Sequence, residues 1–105
     1  MKESYQTKLW VNNEDIELNP FVEQFLAGTV AGGVRTLKGV DVVRTVELKM
    51  LKKAATIAVN GKALELTQFP NDIISSTVTG LVSSLKGVDK VDSLQIDIKV
   101  VQKKS

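Results

Sequence analysis

The stretch Leu37-Lys38-Gly39-Val40-Asp41 recurs unchanged as Leu85-Lys86-Gly87-Val88-Asp89, 48 positions further along the chain. Extending this match without gaps aligns residues 11–52 with residues 59–100, and 15 of the 42 aligned pairs are identical. Ordinary composition gives only a few identities over such a length. Two copies are too few for a solenoid. The sequence therefore predicts a single domain, 1–105, with repeat units at 7–52 and 55–100 and a polar tail at 101–105.

Each unit has the pattern of strand, turn, strand, helix and strand. In the second unit an alternating segment leads into Asn60-Gly61, a dipeptide typical of a type I′ hairpin because both residues tolerate positive φ. The first unit has Asn13 where the second has Gly61. We therefore expect a looser turn between its two strands.

Both helices show recognisable signals in the sequence. Asn19 stands at the position of an N-cap, and Pro20 follows at the first helical position. Gly39 and Gly87 are predicted to end the two helices. The apolar residues of the first helix recur with a helical period, which predicts a buried stripe along one side, made of Phe21, Phe25, Leu26, Val30, Val34 and Leu37.

The strands alternate between apolar and polar residues, for example at Val46, Leu48 and Met50, which predicts one buried and one solvent-exposed sheet face. The predicted fold is α+β: a two-layer α/β sandwich from a tandem ββαβ duplication. It would have about six strands, two helices on one face and a pseudo-twofold axis between the units. The order of the strands does not follow from the sequence.

The chain of 105 residues has no histidine and no cysteine. Histidine- and cysteine-based catalysis and thiolate metal sites are therefore excluded, and we expect no enzyme activity, no catalytic or metal-binding residues and no cofactor. The 14 basic and 12 acidic residues are interspersed and leave a net charge of +2. This makes nucleic acid an unlikely partner, because its binding depends on clustered cations.

The first residues are polar, and no apolar run approaches the roughly 20 residues that span a membrane. We expect a soluble, cytoplasmic protein with no membrane partner.

The helix sides predicted to face water carry small residues instead of lysine and glutamate. In the first helix this side includes Gln24, Ala27 and Arg35, and in the second Asp72, Ser75 and Ser83. Glycine is costly inside a helix, by about 1 kcal/mol relative to alanine. Close packing of the two helices would explain the glycines, and it predicts that Gly32→Leu disturbs the helix pair. An interface between copies, a bound ligand and a partner helix are the alternatives. The residues predicted for this role are Gly28, Ala31, Gly32, Ser76, Thr79 and Gly80.

Trp10 has Ala58 at the equivalent position of the second unit, so it is not part of the repeated pattern. An edge or oligomer contact is its predicted role, in preference to a platform that stacks nucleic-acid bases. The chain as a whole is predicted to be a non-enzymatic protein-interaction or self-associating domain. The alternative is a protein that binds a small ligand or anion in the cleft between the two repeats.

Overall fold

A computed structural model gives the fold of residues 3–37, 42–52, 54–64, 68–85, 88 and 90–102. The first elements along the chain are β1 (Glu3–Val11), β2 (Glu14–Ile16), α1 (Pro20–Arg35) and β3 (Thr45–Leu51). The next are β4 (Ala54–Val59), β5 (Lys62–Leu64), α2 (Gln68–Ser83) and β6 (Ser93–Gln102). These six strands form one antiparallel sheet in the order β2-β1-β6-β3-β4-β5. The predicted α+β class, with six strands and two helices, is confirmed.

Two further predictions concern where the helices and the last strand end. The predicted helix ends at Gly39 and Gly87 lie outside the described residues. Strand β6 continues to Gln102, which is two residues into the stretch predicted as a tail.

One face of the sheet forms the core. A row of apolar residues crosses the strands in register, and its four central members are at most 2% exposed because each side chain packs between its neighbours and the helices. This row consists of Ile16, Leu9, Ile96, Leu48, Ile57 and Leu64. Residues on either side of these along each strand point to the opposite, solvent-exposed face.

Both helices lie against this buried face. Thr7, on the core side of β1, donates from Oγ1 to the carbonyl of Glu23 in α1. Thr79 of α2 approaches Met50 on the core side of β3, with 4.0 Å between Oγ1 and Sδ. The molecule therefore has two layers, with helices on one side of the sheet only. No helix in the described part of the chain is long and apolar enough to cross a membrane.

The two hairpin turns are alike, and the looser first turn that the sequence predicts is wrong. Asn12 and Asn13 have φ of 52° and 68°, while Asn60 and Gly61 have φ of 54° and 82°. Each pair of positive φ values is that of a type I′ turn. Asparagine is, after glycine, the residue that best tolerates this conformation, so Asn13 replaces glycine without opening the turn.

The side chain of Asn12 ties the first hairpin to the start of β6. Its Oδ1 accepts hydrogen bonds from the backbone N–H groups of Asp92 at 2.8 Å and Ser93 at 3.0 Å. Its Nδ2 donates to the carbonyl of Lys90 at 2.7 Å. Three backbone groups that precede β6 or begin it are thus held by one carboxamide.

Asn60 does the same for the second hairpin and the start of β3. Its Oδ1 accepts from the N–H groups of Arg44 at 2.7 Å and Thr45 at 3.0 Å, and its Nδ2 donates to the carbonyl of Val42. Each hairpin is therefore fastened to the strand beside which it lies in the sheet, β6 for the first and β3 for the second.

Helix α1 begins as predicted, because Asn19 Oδ1 accepts from the N–H of Val22 at 2.8 Å and Pro20 occupies the first turn. The predicted buried stripe is wrong in part, since Phe21 and Phe25 are exposed. The residues that α1 buries are Leu26, Ala27, Val30, Ala31 and Val34.

Hydrogen bonds in the first turns explain this rotation of α1. Glu23 Oε2 accepts from the N–H of Thr7 at 2.9 Å. Gln24 accepts from the N–H of Tyr5 at 3.0 Å and donates to its carbonyl at 2.8 Å. Because Glu23 and Gln24 must face β1, the alanines that follow them turn toward the sheet and the phenylalanines turn outward.

Candidate functional site

Aromatic side chains lie on the side of α1 that faces away from the sheet. Phe21 is 73% exposed and Phe25 51% exposed, and their ring centroids are 5.7 Å apart. On α2, Ile73 is 48% exposed. Scattered apolar residues are normal on a surface, but two adjoining exposed phenylalanines form a continuous apolar patch of the kind that marks contact sites.

Small residues extend this patch along both helices. Gly32 continues the line of Phe21 and Phe25 on α1, and Ser76 and Gly80 lie on the exposed side of α2. We call this surface the outer helix face, made of Phe21, Phe25, Gly32, Ile73, Ser76 and Gly80.

Few charges accompany the outer helix face. Helix α1 contains only Glu23 and Arg35 as charged residues, and α2 contains only Asp72. The carboxylate of Glu23 is directed to the N–H of Thr7 in β1. An ordinary solvent-facing helix surface is rich in charged residues, whereas the centres of protein interfaces are depleted of them.

The structure separates the small residues that the sequence grouped together. Ala31 is fully buried, not on the side that faces water. A Cβ atom added at Gly28 would lie 3.9 Å from Cε2 of Tyr5, in ordinary van der Waals contact, so this glycine faces β1. At Gly32 and Gly80 an added Cβ would meet no heavy atom within 4 Å.

The packing explanation for Gly32 and Gly80 is therefore corrected. The open space at both means that close contact between α1 and α2 is not the reason for glycine there. A Cβ atom at Gly32 has room, and the effect of Gly32→Leu on the helix pair stays a prediction. The interface role of these residues stays a prediction.

Ser76 and Thr79 line a cleft beside α2, of about 620 Å³, which we call the α2 cleft. Its opposite wall contains Met50 and Lys52, at the end of β3 and just after it. The other lining residues are Asp72, Ser75, Val91 and Asp92. Since residues of both predicted units meet here, the α2 cleft is the place where the predicted ligand alternative applies.

Trp10 lies on the solvent-exposed face of the sheet, half-buried. It pairs with Asp15 of β2 and Gln95 of β6, so it is one strand inside the sheet edge, and its predicted edge or oligomer contact stays a prediction. It borders a groove of about 680 Å³, which we call the Trp10 groove. The lining includes Asn13, Lys49, Leu51, Thr56, Ser93 and Gln95.

Phe21 and Phe25 were predicted in the core and are exposed, whereas Ala27 and Ser75 were predicted to face water and are buried. Phe25 and Leu26 are adjacent and apolar, as are Ile73 and Ile74 in α2, so the period alone leaves the rotation of either helix uncertain. The polar pair of Glu23 and Gln24 was the available signal, because its bonds to β1 fix the rotation.

No protein family, curated protein or solved structure matches this chain.

Proposed function

We propose that the protein is a non-enzymatic, self-associating domain and that two copies meet through the outer helix face. The observation that carries the proposal is the exposure of Phe21 and Phe25, 73% and 51%, beside each other on α1. Burying exposed apolar surface contributes about 25 cal/mol per Å². Two phenylalanines from each copy would thus form the centre of the contact.

The rest of the outer helix face favours a second copy as the partner. Gly32 and Gly80 have open space above them, so another backbone can approach closely there. The six residues that define the face are uncharged, and the exposed Arg35, three residues after Gly32, is the charged residue that follows them along α1. A twofold contact of this kind is the commonest arrangement of homo-oligomers.

The lack of two common catalytic residue types supports a role without chemistry. The sequence contains neither histidine nor cysteine, which are the usual general base and the usual thiol nucleophile.

We also propose that the chain arose by tandem duplication of a ββαβ unit. The order of elements is two strands, a helix and a strand, twice over. Replacing each element by its counterpart in the other unit turns the strand order β2-β1-β6-β3-β4-β5 into its own reverse, as a twofold axis requires. Leu48 and Ile96, 48 positions apart, are paired at the centre of this arrangement.

In this arrangement the two units exchange their last strands. Strand β6, which ends the second unit, pairs with β1 of the first, and β3 pairs with β4. Each unit therefore completes its part of the sheet with a strand of the other, which supports a pseudo-dimer folded as one domain.

The mass of the protein in solution tests self-association. Light scattering over a wide range of concentration is expected to approach twice the 11.4 kDa of one chain. The double variant Phe21→Ser/Phe25→Ser is expected to stay at the monomer mass while its circular dichroism remains native. Val42→Ser is the matched control, because Val42 is 62% exposed but lies in the loop before β3.

Two results would contradict the proposal. One is a mass of 11.4 kDa for the unmodified chain at every concentration. The other is a double-serine variant that associates as strongly as the unmodified chain.

The second candidate function is the binding of a small ligand or anion in the α2 cleft. The specific observation for it is that Lys52, Ser76 and Thr79 border one cleft of about 620 Å³, which Asp72 and Asp92 also line. A monomer whose melting temperature rises with phosphate or a small carboxylate, and whose Lys52→Gln variant loses that rise, would favour this candidate.

A further inference from the structure

The Trp10 groove lies on the face of the sheet opposite to the helices, so it is independent of the outer helix face. A row of four residues crosses its floor in register: Trp10 on β1, Gln95 on β6, Lys49 on β3 and Thr56 on β4. Neighbouring strands are about 4.8 Å apart. The indole of Trp10 and the side chain of Lys49 thus stand about two strand spacings apart, with Gln95 between them.

A second groove, of about 250 Å³, occupies the other half of the same sheet face. Each residue that lines it is 48 positions from a residue that lines the Trp10 groove. The two grooves thus occupy equivalent positions of the sheet, and residues that differ between them are not needed to form the sheet. The lining of the second groove is Gln6, Lys8, Thr45, Val46, Glu47, Asp97, Ile98 and Lys99.

Charges balance in the second groove and do not balance in the Trp10 groove. The second groove has two lysines and two carboxylates, and Lys8 lies directly opposite Asp97 in the sheet. Among the described residues that line the Trp10 groove, Lys49 is the one charged residue and none is a carboxylate. Lys49 makes no ion pair with any residue in the described part of the chain. Its positive charge is therefore available to an anion.

The Trp10 groove also has more apolar surface than the second groove. Trp10 takes the position that Ala58 has in the other unit, and Leu51, 67% exposed, takes the position of Lys99. An indole face is well suited to stacking on a flat aromatic ring. The Trp10 groove thus combines a stacking surface, an exposed leucine and one unpaired cation.

The nearby carboxylates lie outside the lining of the Trp10 groove. Asp15 pairs with Trp10 from β2, the edge strand. Glu47 is two residues from Lys49 along β3, and Asp97 is two residues from Gln95 along β6. Gln95 Nε2 donates to Asp97 Oδ1 at 3.2 Å, which directs that carboxylate to a protein donor.

We propose that the Trp10 groove binds a small molecule with a flat aromatic ring and a single anionic group. The ring stacks on Trp10 and covers Gln95, and the anionic group reaches the ammonium group of Lys49. A fused two-ring system with an acidic substituent has the length to span the separation between these two side chains. Carboxylate and phosphate share the chemistry that Lys49 recognises.

Nuclear magnetic resonance of the full chain tests this inference with naphthoate and naphthyl phosphate as probes. Trp10 is the only tryptophan, so its indole N–H gives a single cross-peak. That cross-peak and the amides of Lys49 and Gln95 are expected to shift saturably with at least one of the two probes, and the preferred probe tells whether carboxylate or phosphate is favoured. The neutral naphthamide is expected to bind about tenfold more weakly, because it lacks the charge-assisted contact.

Two variants and a matched control complete the test. Lys49→Gln is expected to reduce the affinity about tenfold, and Trp10→Ala to abolish saturable shifts at the groove. Trp10→Phe, which keeps a flat ring, is expected to retain part of the binding even if Trp10→Ala does not fold. Lys99→Gln removes a lysine of the second groove that is also exposed, and it is expected to bind like the unmodified chain. No saturable shift at Trp10 with either probe, or equal losses for Lys49→Gln and Lys99→Gln, would overturn the proposal.

Discussion

Asn12 and Asn60 make the same three side-chain hydrogen bonds, each to backbone groups of the other predicted unit. Both have positive φ, 52° and 54°, which places their carboxamides over the start of the neighbouring strand. The backbone groups bonded by one asparagine are each 48 positions from those bonded by the other. They belong to Lys90, Asp92 and Ser93 for Asn12, and to Val42, Arg44 and Thr45 for Asn60.

Removing either carboxamide is expected to destabilise the domain by a similar amount. Asn60→Gly keeps the positive φ and loses only the three hydrogen bonds, so a loss of about 1–2 kcal/mol in the free energy of unfolding is expected. Asn60→Ala adds backbone strain and is expected to cost about 1 kcal/mol more. Urea denaturation of these variants and of Asn12→Gly measures the effect.

The same experiment tests whether the two units are equivalent. Asn12→Gly and Asn60→Gly are expected to lower stability equally within about 0.5 kcal/mol. No loss of stability in either variant would contradict the role given to these carboxamides, and a large difference between them would contradict the equivalence.

The glycines of α1 are expected to respond in opposite ways to substitution. Gly32→Ala fills open space in a helix interior and is expected to raise stability by about 0.5–1 kcal/mol. Gly28→Val places methyl groups toward the ring of Tyr5 and is expected to lower stability by about 1–3 kcal/mol. Thermal unfolding distinguishes these outcomes. A destabilised Gly32→Ala variant would mean that Gly32 is packed after all.

Much of this fold follows from local sequence, and the hairpins show why. The Asn60-Gly61 turn was predictable because only a few residue types accept two positive φ values in succession. Alternation along β3 likewise identified its buried face. Strand order was not predictable, because pairing β6 with β1 depends on contacts between residues far apart in the sequence, such as Leu9 with Ile96.

The outer helix face shows how far the spacing of apolar residues can predict which side of a helix is buried. When two adjacent positions of a helix are both apolar, the pattern defines the rotation of the helix about its axis only to within about one residue, or 100°. In α1 this uncertainty decides whether Phe25 is in the core or on the surface, and the answer comes from the bonds of Gln24 to β1. The Trp10 groove was also beyond prediction, since it requires the register of four strands.

Glu23 and Gln24 are expected to protect the edge of β1. The N–H groups of Tyr5 and Thr7 donate to these side chains, so Glu23→Ala/Gln24→Ala leaves both unpaired. We expect a loss of about 1–2 kcal/mol in stability and faster hydrogen exchange at these two amides. Thr29→Ala is the control, because Thr29 Oγ1 bonds only within its own helix, to the carbonyl of Phe25. Unchanged exchange at Tyr5 and Thr7 would contradict this role.

Replacing Lys52 by glycine is expected to stabilise the fold. Its φ is 58°, in the turn between β3 and β4. This conformation costs a residue with a side chain about 1–2 kcal/mol. Lys52→Gly is therefore expected to raise the midpoint of urea unfolding, whereas Lys49→Gly, inside β3, is expected to lower it. A lower midpoint for Lys52→Gly would show that contacts of the lysine side chain outweigh the strain.

The most direct test of self-association is to observe contacts between copies at the outer helix face. In a sample that mixes isotope-labelled and unlabelled chains, filtered nuclear Overhauser spectra report only protons of different copies. We expect cross-peaks between copies from the rings of Phe21 and Phe25, and the proposal predicts that Phe21→Ser/Phe25→Ser removes them. No cross-peaks from these rings at concentrations where light scattering detects association, or cross-peaks confined to the exposed face of the sheet, would contradict the account.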